Sequence, residues 1–154
     1  MNKISRLPMP ISWATRIIPD RVHSAVLVRI LNHLMAEQLN NGELDFLDNK
    51  SLLVEVSDAG MNFSFSVNQA RIVPVATSRH DVEIRGTALG YLQLISRIED
   101  TDTLFFQRRL STQGDTELGL HLKNFLDSIE IDSLPYISIG VPMLQRFSSV
   151  LEKV

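Results

Sequence analysis

Partway along the chain the apolar residues change period, and that change constrains the fold more than any other feature. In Met61–Asn68, Met61, Phe63, Phe65 and Val67 alternate without a break with Asn62, Ser64, Ser66 and Asn68. A period of two places the first set on one face of a strand and the second on the other. Leu52, Val54 and Val56 alternate in the same way with Glu55 and Ser57 within Ser51–Asp58. Asp58-Ala59-Gly60 between the two runs reads as a tight hairpin turn. Asn68-Gln69-Ala70 turns the chain again into Arg71–Ala76, where Pro74 predicts an edge strand or a bulge. Val82 and Ile84 mark a further strand, and Leu44–Leu47 one in front. The expectation is about five short strands in a mostly antiparallel meander, with one apolar face that needs a cover.

The flanks keep the helical period and supply that cover. Asp20 is placed to cap a helix over about 21–40, carrying Val22, Val26, Leu27, Val28, Ile30, Leu31, Leu34, Met35 and Leu39. These residues exceed one stripe, which implies burial on two sides or contact with a partner. Asn40-Asn41-Gly42 is its stop. Thr87 caps a second helix over 88–98, with Leu89, Leu92, Leu94, Ile95 and Ile98. Asp100 and Asp102 open a short turn holding Phe105 and Phe106, and Gln107–Gln113 has the weak alternation of a final strand. Gly114 and Asp115 open a helix to about 130, whose Leu118, Leu122, Phe125, Leu126 and Ile129 share one face. Pro142 begins a last helix lined by Met143, Leu144, Phe147, Val150, Leu151 and Val154. The order predicts an α+β fold, a five-stranded mostly antiparallel sheet covered by helices on one face. The chain divides into an arm (1–19), a body (20–132) and a connector with a terminal amphipathic helix (133–154).

Composition narrows the function. The 154 residues contain no Cys, which excludes a disulfide framework, a cysteine nucleophile and thiolate metal sites, and fits a cytoplasmic location. No apolar run reaches the length of a membrane-spanning helix, and no secretory leader is expected. A net charge of −3 argues against a nucleic-acid binder. The charge is unevenly placed. Residues 1–36 carry Lys3, Arg6, Arg16, Arg21 and Arg29 against Asp20 alone, a net +4, so the remaining 118 residues carry −7. A basic, apolar arm of this kind suits an anionic membrane surface, with Trp13, Ile17 and Ile18 entering the interface and Arg16 supplying attraction.

Signatures of catalysis are absent: no phosphate-binding glycine loop, no nucleophile elbow and no zinc-protease helix motif. His23 and His33 stand ten residues apart on one expected helix, about 80° short of three turns, and do not converge on a metal. Glu99, Asp100 and Asp102 fit helix caps or a cation, and Arg108-Arg109 fit either a phosphate clamp or a pair straddling a strand. Beyond these the chain has a surplus of apolar faces. Such a surplus serves a dimer interface, a membrane-docking surface or a lid over a hydrophobic cavity.

The run from Asp102 to Glu130, Asp-Thr-Leu-Phe-Phe-Gln-Arg-Arg-Leu-Ser-Thr-Gln-Gly-Asp-Thr-Glu-Leu-Gly-Leu-His-Leu-Lys-Asn-Phe-Leu-Asp-Ser-Ile-Glu, resembles the signature region of the UbiT family, and so does Asn41-Gly-Glu-Leu-Asp-Phe-Leu47. The resemblance covers about residues 20–132. It implies the sterol-carrier-protein type-two lipid-binding fold with an apolar lipid cavity. It also implies a non-enzymatic accessory role in the oxygen-independent branch of ubiquinone synthesis, with no cofactor and no metal. The ligand would be ubiquinone or a polyprenylated precursor, and the partners the hydroxylase proteins UbiU and UbiV. The candidate lining residues are Phe63, Phe65, Leu94, Ile98, Phe105, Leu118, Leu122, Phe125 and Ile129. Rival readings are a phospholipid transfer or membrane-tethering module, an enzyme with an unrecognised site, and a domain that forms a homodimer through its terminal helices.

Overall fold

A computed structural model describes residues 20–129. The arm, with Trp13, Arg16, Ile17 and Ile18, and the segment from 130 onward, with the helix expected after Pro142, lie outside the described residues.

Helix α1 (Asp20–Leu34) is followed by the single turn α2 (Ala36–Asn40) and a 3-10 turn, Asp45–Leu47. Strands β1 (Leu52–Val56), β2 (Met61–Asn68), β3 (Arg71–Pro74) and β4 (Val82–Gly86) come next. Helices α3 (Ala88–Ile95) and α4 (Thr101–Phe106), strand β5 (Leu110–Gly114) and helix α5 (Thr116–Ser128) complete the described chain. The five strands lie in the order β3-β2-β1-β4-β5.

The number of strands agrees with the sequence; their membership and path differ. Leu44–Leu47 is not a strand. Asp45 to Leu47 wind into a 3-10 turn, and Leu44 and Leu47 are buried in the main core. The weak run before Gly114 is the real fifth strand, pairing antiparallel with β4. Nor is the sheet a plain meander. The chain makes the expected hairpins β1–β2 and β2–β3, then returns across the sheet so that β4 pairs parallel to β1 on the other side. Asp81 fixes that landing. Its carboxylate accepts from the Ser51 amide at 2.7 Å and from the Ser51 hydroxyl at 3.0 Å, and its own amide donates to the Ser51 carbonyl at 3.0 Å. Those hydrogen bonds from Ser51 hold the carboxyl below the usual aspartate range. They join the starts of β1 and β4 side by side.

Register then sorts the side chains. Leu52 stands opposite Phe65 and Val82, and Val54 opposite Phe63 and Ile84, so one face of the sheet is apolar. On the other face Arg85 pairs with Glu55 at 3.1 Å and Glu83 at 3.0 Å. The helices lie on the apolar face, giving two layers around one core.

Local chemistry sets most helix boundaries. Thr87, Asp100 and Asp115 cap α3, α4 and α5 by accepting from the amides of Gly90, Thr103 and Leu118. Asp58 of the hairpin turn also accepts from the Ala88 amide at 2.8 Å, tying that turn to the start of α3. Gly90 lets α3 approach closely, because a Cβ there would meet the Arg109 carbonyl at 2.9 Å. Three expectations need correction. The helix over 21–40 is broken at Met35. The turn holding Phe105 and Phe106 is a short helix. The helix over 88–98 ends at Ile95, where the Ser96 hydroxyl bonds back to the Leu92 carbonyl and Arg97 takes a left-handed φ of +54°. The Arg108-Arg109 pair does not straddle a strand. It forms the turn ahead of β5, with Arg108 at φ +58° and Arg109 donating to the Gln93 carboxamide.

Candidate functional site

The helices do not settle flush on the sheet. Between them lies a cavity of about 310 Å³ with no charged side chain in its wall among the described residues. Helix α1 contributes Leu27, Leu31 and Leu34, a stripe at i, i+4 and i+7. The floor is the apolar face of the sheet: Leu52, Val54, Phe65, Val67, Ile72 and Ile84. Met35, Leu44 and Leu47 close one side, and Tyr91, Leu94 and Ile95 of α3 another. The remaining wall is the late part of α5, with Leu122, Phe125 and Leu126, ending at Ile129.

Among the described residues Tyr91 carries the one side-chain hydroxyl in this wall, and the fold turns it away from the cavity's chemistry. The hydroxyl lies 2.9 Å from the Glu55 carbonyl, to which it donates, and 3.2 Å from the Ile84 carbonyl. Burial, with the nearby Glu55 charge, pushes the phenol well above its ordinary pKa and keeps it neutral. What remains is a surface that offers a ligand dispersion and escape from water, and no directional bond.

Arg97 holds one rim of the cavity. Its guanidinium donates to the Leu126 carbonyl at 3.2 Å and to the Ile129 carbonyl, caps the C-terminal end of α5, and joins it to the loop after α3. Beside this clamp Ile95, which lines the cavity, is 37% exposed, so this part of the rim is apolar and open to water.

Of the nine candidate residues, the structure brings Phe65, Leu94, Leu122, Phe125 and Ile129 together around the cavity. The other four stand elsewhere. Leu118 is buried in the core one helical turn before Leu122, about 6 Å up the axis, where α5 already rests on the sheet. Phe105 packs against the small cluster of Leu94, Leu104 and Leu110. Phe63 is half-buried opposite Val54, toward the β1–β2 turn. Ile98 lies beyond the end of α3. Sequence reasoning missed the α1 stripe, although its spacing is visible, because the other apolar residues of that helix mask it. It missed Tyr91 because nothing local marks a tyrosine whose hydroxyl meets backbone carbonyls of two strands.

The acidic trio does not assemble a cation site. Asp100 caps α4 and bonds the Thr103 hydroxyl at 2.7 Å, which holds its carboxyl below the usual range, while Asp102 pairs with Lys123. Among the described residues no three His, Asp or Glu side chains are grouped to hold a metal ion, and no helix is long and apolar enough to cross a membrane.

This arrangement has known counterparts. The sequence model of the SCP-2 sterol transfer family matches residues 29–127, which includes nearly the whole cavity wall. The chain belongs to that family. Within it the chain is a UbiT relative: it is 36% identical over 128 residues to "Ubiquinone biosynthesis accessory factor UbiT" of Escherichia coli strain K12, covering 83% of this chain and 74% of that one. The same figures hold for the protein of the same description from Escherichia coli O157:H7. Among solved structures, "UbiJ-SCP2 Ubiquinone synthesis protein" superposes with a TM-score of 0.54 at 18% identity, covering 69% of this chain and 94% of that one. At that identity the likeness supports the SCP-2 fold alone.

Proposed function

We propose that this chain is a non-catalytic, lipid-binding accessory factor of ubiquinone biosynthesis, working in the oxygen-independent branch. It takes part of the polyprenyl tail of ubiquinone or a precursor into the cavity and presents the ring to the hydroxylating proteins UbiU and UbiV. It does so from the cytoplasm, resting reversibly on the membrane through Trp13, Arg16, Ile17 and Ile18.

One observation carries this reading: the cavity between α1, α3, α5 and the sheet has apolar walls and its single hydroxyl is already bonded to backbone. Such a site favours hydrocarbon by roughly 0.8 kcal/mol per CH₂ removed from water, and has nothing with which to act on it. At about 310 Å³ it lies at the lower end of ligand pockets, roughly 300–1,000 Å³. It has room for a segment of a long tail, and in this reading the more polar ring stays outside, within reach of an enzyme. The curated UbiT relatives, 36% identical, support the assignment to ubiquinone synthesis.

Native mass spectrometry of the full chain tests it. A co-purified isoprenoid quinone, or uptake of added ubiquinone, is the expected result. A bound phospholipid that ubiquinone does not displace would point instead to a phospholipid transfer or tethering module. Full quinone output from cells lacking this protein would sink the accessory role.

A further inference from the structure

On the other flank of α1 lies a second concavity, which unlike the first is bordered by charged side chains. It is an open groove of about 690 Å³ between α1 and the edge strand β3. Ala25 and Val28 form its helix side and Val73 and Pro74 its strand side, with Arg29, His33 and Arg71 among the residues that border it. The tip of the β2–β3 hairpin adds the side-chain amides of Asn68 and Gln69. Among the described residues no Asp or Glu lines it, although the chain as a whole carries −3.

The groove lies beside a sheet edge, yet that edge is closed to another strand. The Asn32 carboxamide donates to the Ile72 carbonyl at 2.7 Å and accepts from the Ile72 amide at 2.8 Å, occupying both backbone groups. Pro74, next along the same edge, has no N–H to offer. An occupant must therefore be held through side chains. Its mixture of apolar floor and basic border matches a segment in which acidic and apolar residues interleave. Its hairpin wall is held under strain: Gln69 and Ala70 both adopt left-handed φ values, +49° and +56°, without a glycine.

We infer that the α1–β3 groove is a protein-docking site for an acidic, apolar-interleaved segment of a partner protein, held by Arg29 and Arg71. The site is separate from the cavity and does not rest on which lipid the cavity takes. It shares helix α1 and the β3 residue Ile72 with it: Leu27, Leu31 and Leu34 face the cavity while Arg29 and His33 border the groove. A partner seated there lies one helix away from the lipid.

The test uses the full chain and fluorescence anisotropy with a labelled, capped peptide of alternating Glu and Leu, against the same peptide with Gln for Glu. The expected result is binding at least about tenfold tighter for the Glu peptide, weakening as salt is added. The Arg29→Ala, Arg71→Ala double variant should lose about tenfold of that binding while still loading lipid. Both side chains are exposed, and Gln69→Glu, which removes no cation, gives a second variant with the same expected loss. Equal binding of the two peptides, or binding indifferent to both variants, would overturn the inference. So would phosphatidylglycerol vesicles that bind through these two arginines and are not displaced by the Glu peptide; the groove would then be a lipid-headgroup surface. Failure of the unmutated chain to load lipid, with its peptide binding as expected, would count against the cavity reading alone.

Discussion

The two flanks of helix α1 use opposite physics within one short stretch of sequence. Toward α3 and α5 it presents Leu27, Leu31 and Leu34 to a cavity with uncharged walls. Toward β3 it presents Arg29, Asn32 and His33 to an open, basic groove. The first flank selects by shape and loss of water, which salt hardly touches; the second selects by charge, which salt screens. The apolar surplus that makes this helix too broad for one stripe therefore has a structural reason. The inward residues wall a space the core does not fill, and Val26 and Ile30 remain 56% and 49% exposed.

The largest expected effect comes from breaking the apolar flank. Phe125→Asp places an unpaired carboxylate in the cavity wall and should cost about 3–5 kcal/mol, read as a lower denaturant midpoint, with lipid loading abolished. Leu31→Trp sharpens the same point without a charge. It fills the space, so it should block loading while the chain stays folded; a folded variant that loads normally would remove Leu31 from the site. Asn32→Ala attacks the other flank. Losing both bonds to Ile72 should cost about 1–3 kcal/mol and leave the β3 edge open to self-association, measured by denaturation and light scattering, with lipid affinity retained.

Smaller still is Ala70→Gly, which relieves a left-handed residue in the groove's hairpin wall. It should raise stability by about 1 kcal/mol, seen as a higher melting temperature. The least effect is a pH dependence belonging to the cavity side. Tyr91 has a raised pKa when folded, so its contribution is fully present below the unfolded phenol value of about 10 and is lost as pH rises past it. Stability should fall in that range, and Tyr91→Phe should flatten the fall. An unchanged slope in Tyr91→Phe would mean that other groups cause it.

Residues that act on near neighbours are legible in the sequence alone. The unbroken alternation of Met61–Asn68 is β2 to the residue. Thr87 and Asp115 cap the helices that their positions predict, and the stripe of α5 faces inward. These follow from a period or from a hydrogen bond spanning three residues, and both are written in the local sequence. Pro74 likewise announces an edge strand, because a missing N–H cannot be hidden inside a ladder.

Tertiary structure decided the rest. The parallel pairing of β4 with β1 depends on Asp81 meeting Ser51, thirty positions away. Leu44 and Leu47 look like a strand in sequence, but they bound a 3-10 turn and anchor it in the core, while β4 takes the place beside β1. Leu118 and Leu122 share a stripe, yet only Leu122 lines the cavity. A stripe specifies which way a side chain points. How far α1, α3 and α5 stand off the sheet, and hence whether that side chain meets another or a void, is set by packing among all of them at once, which no single segment encodes.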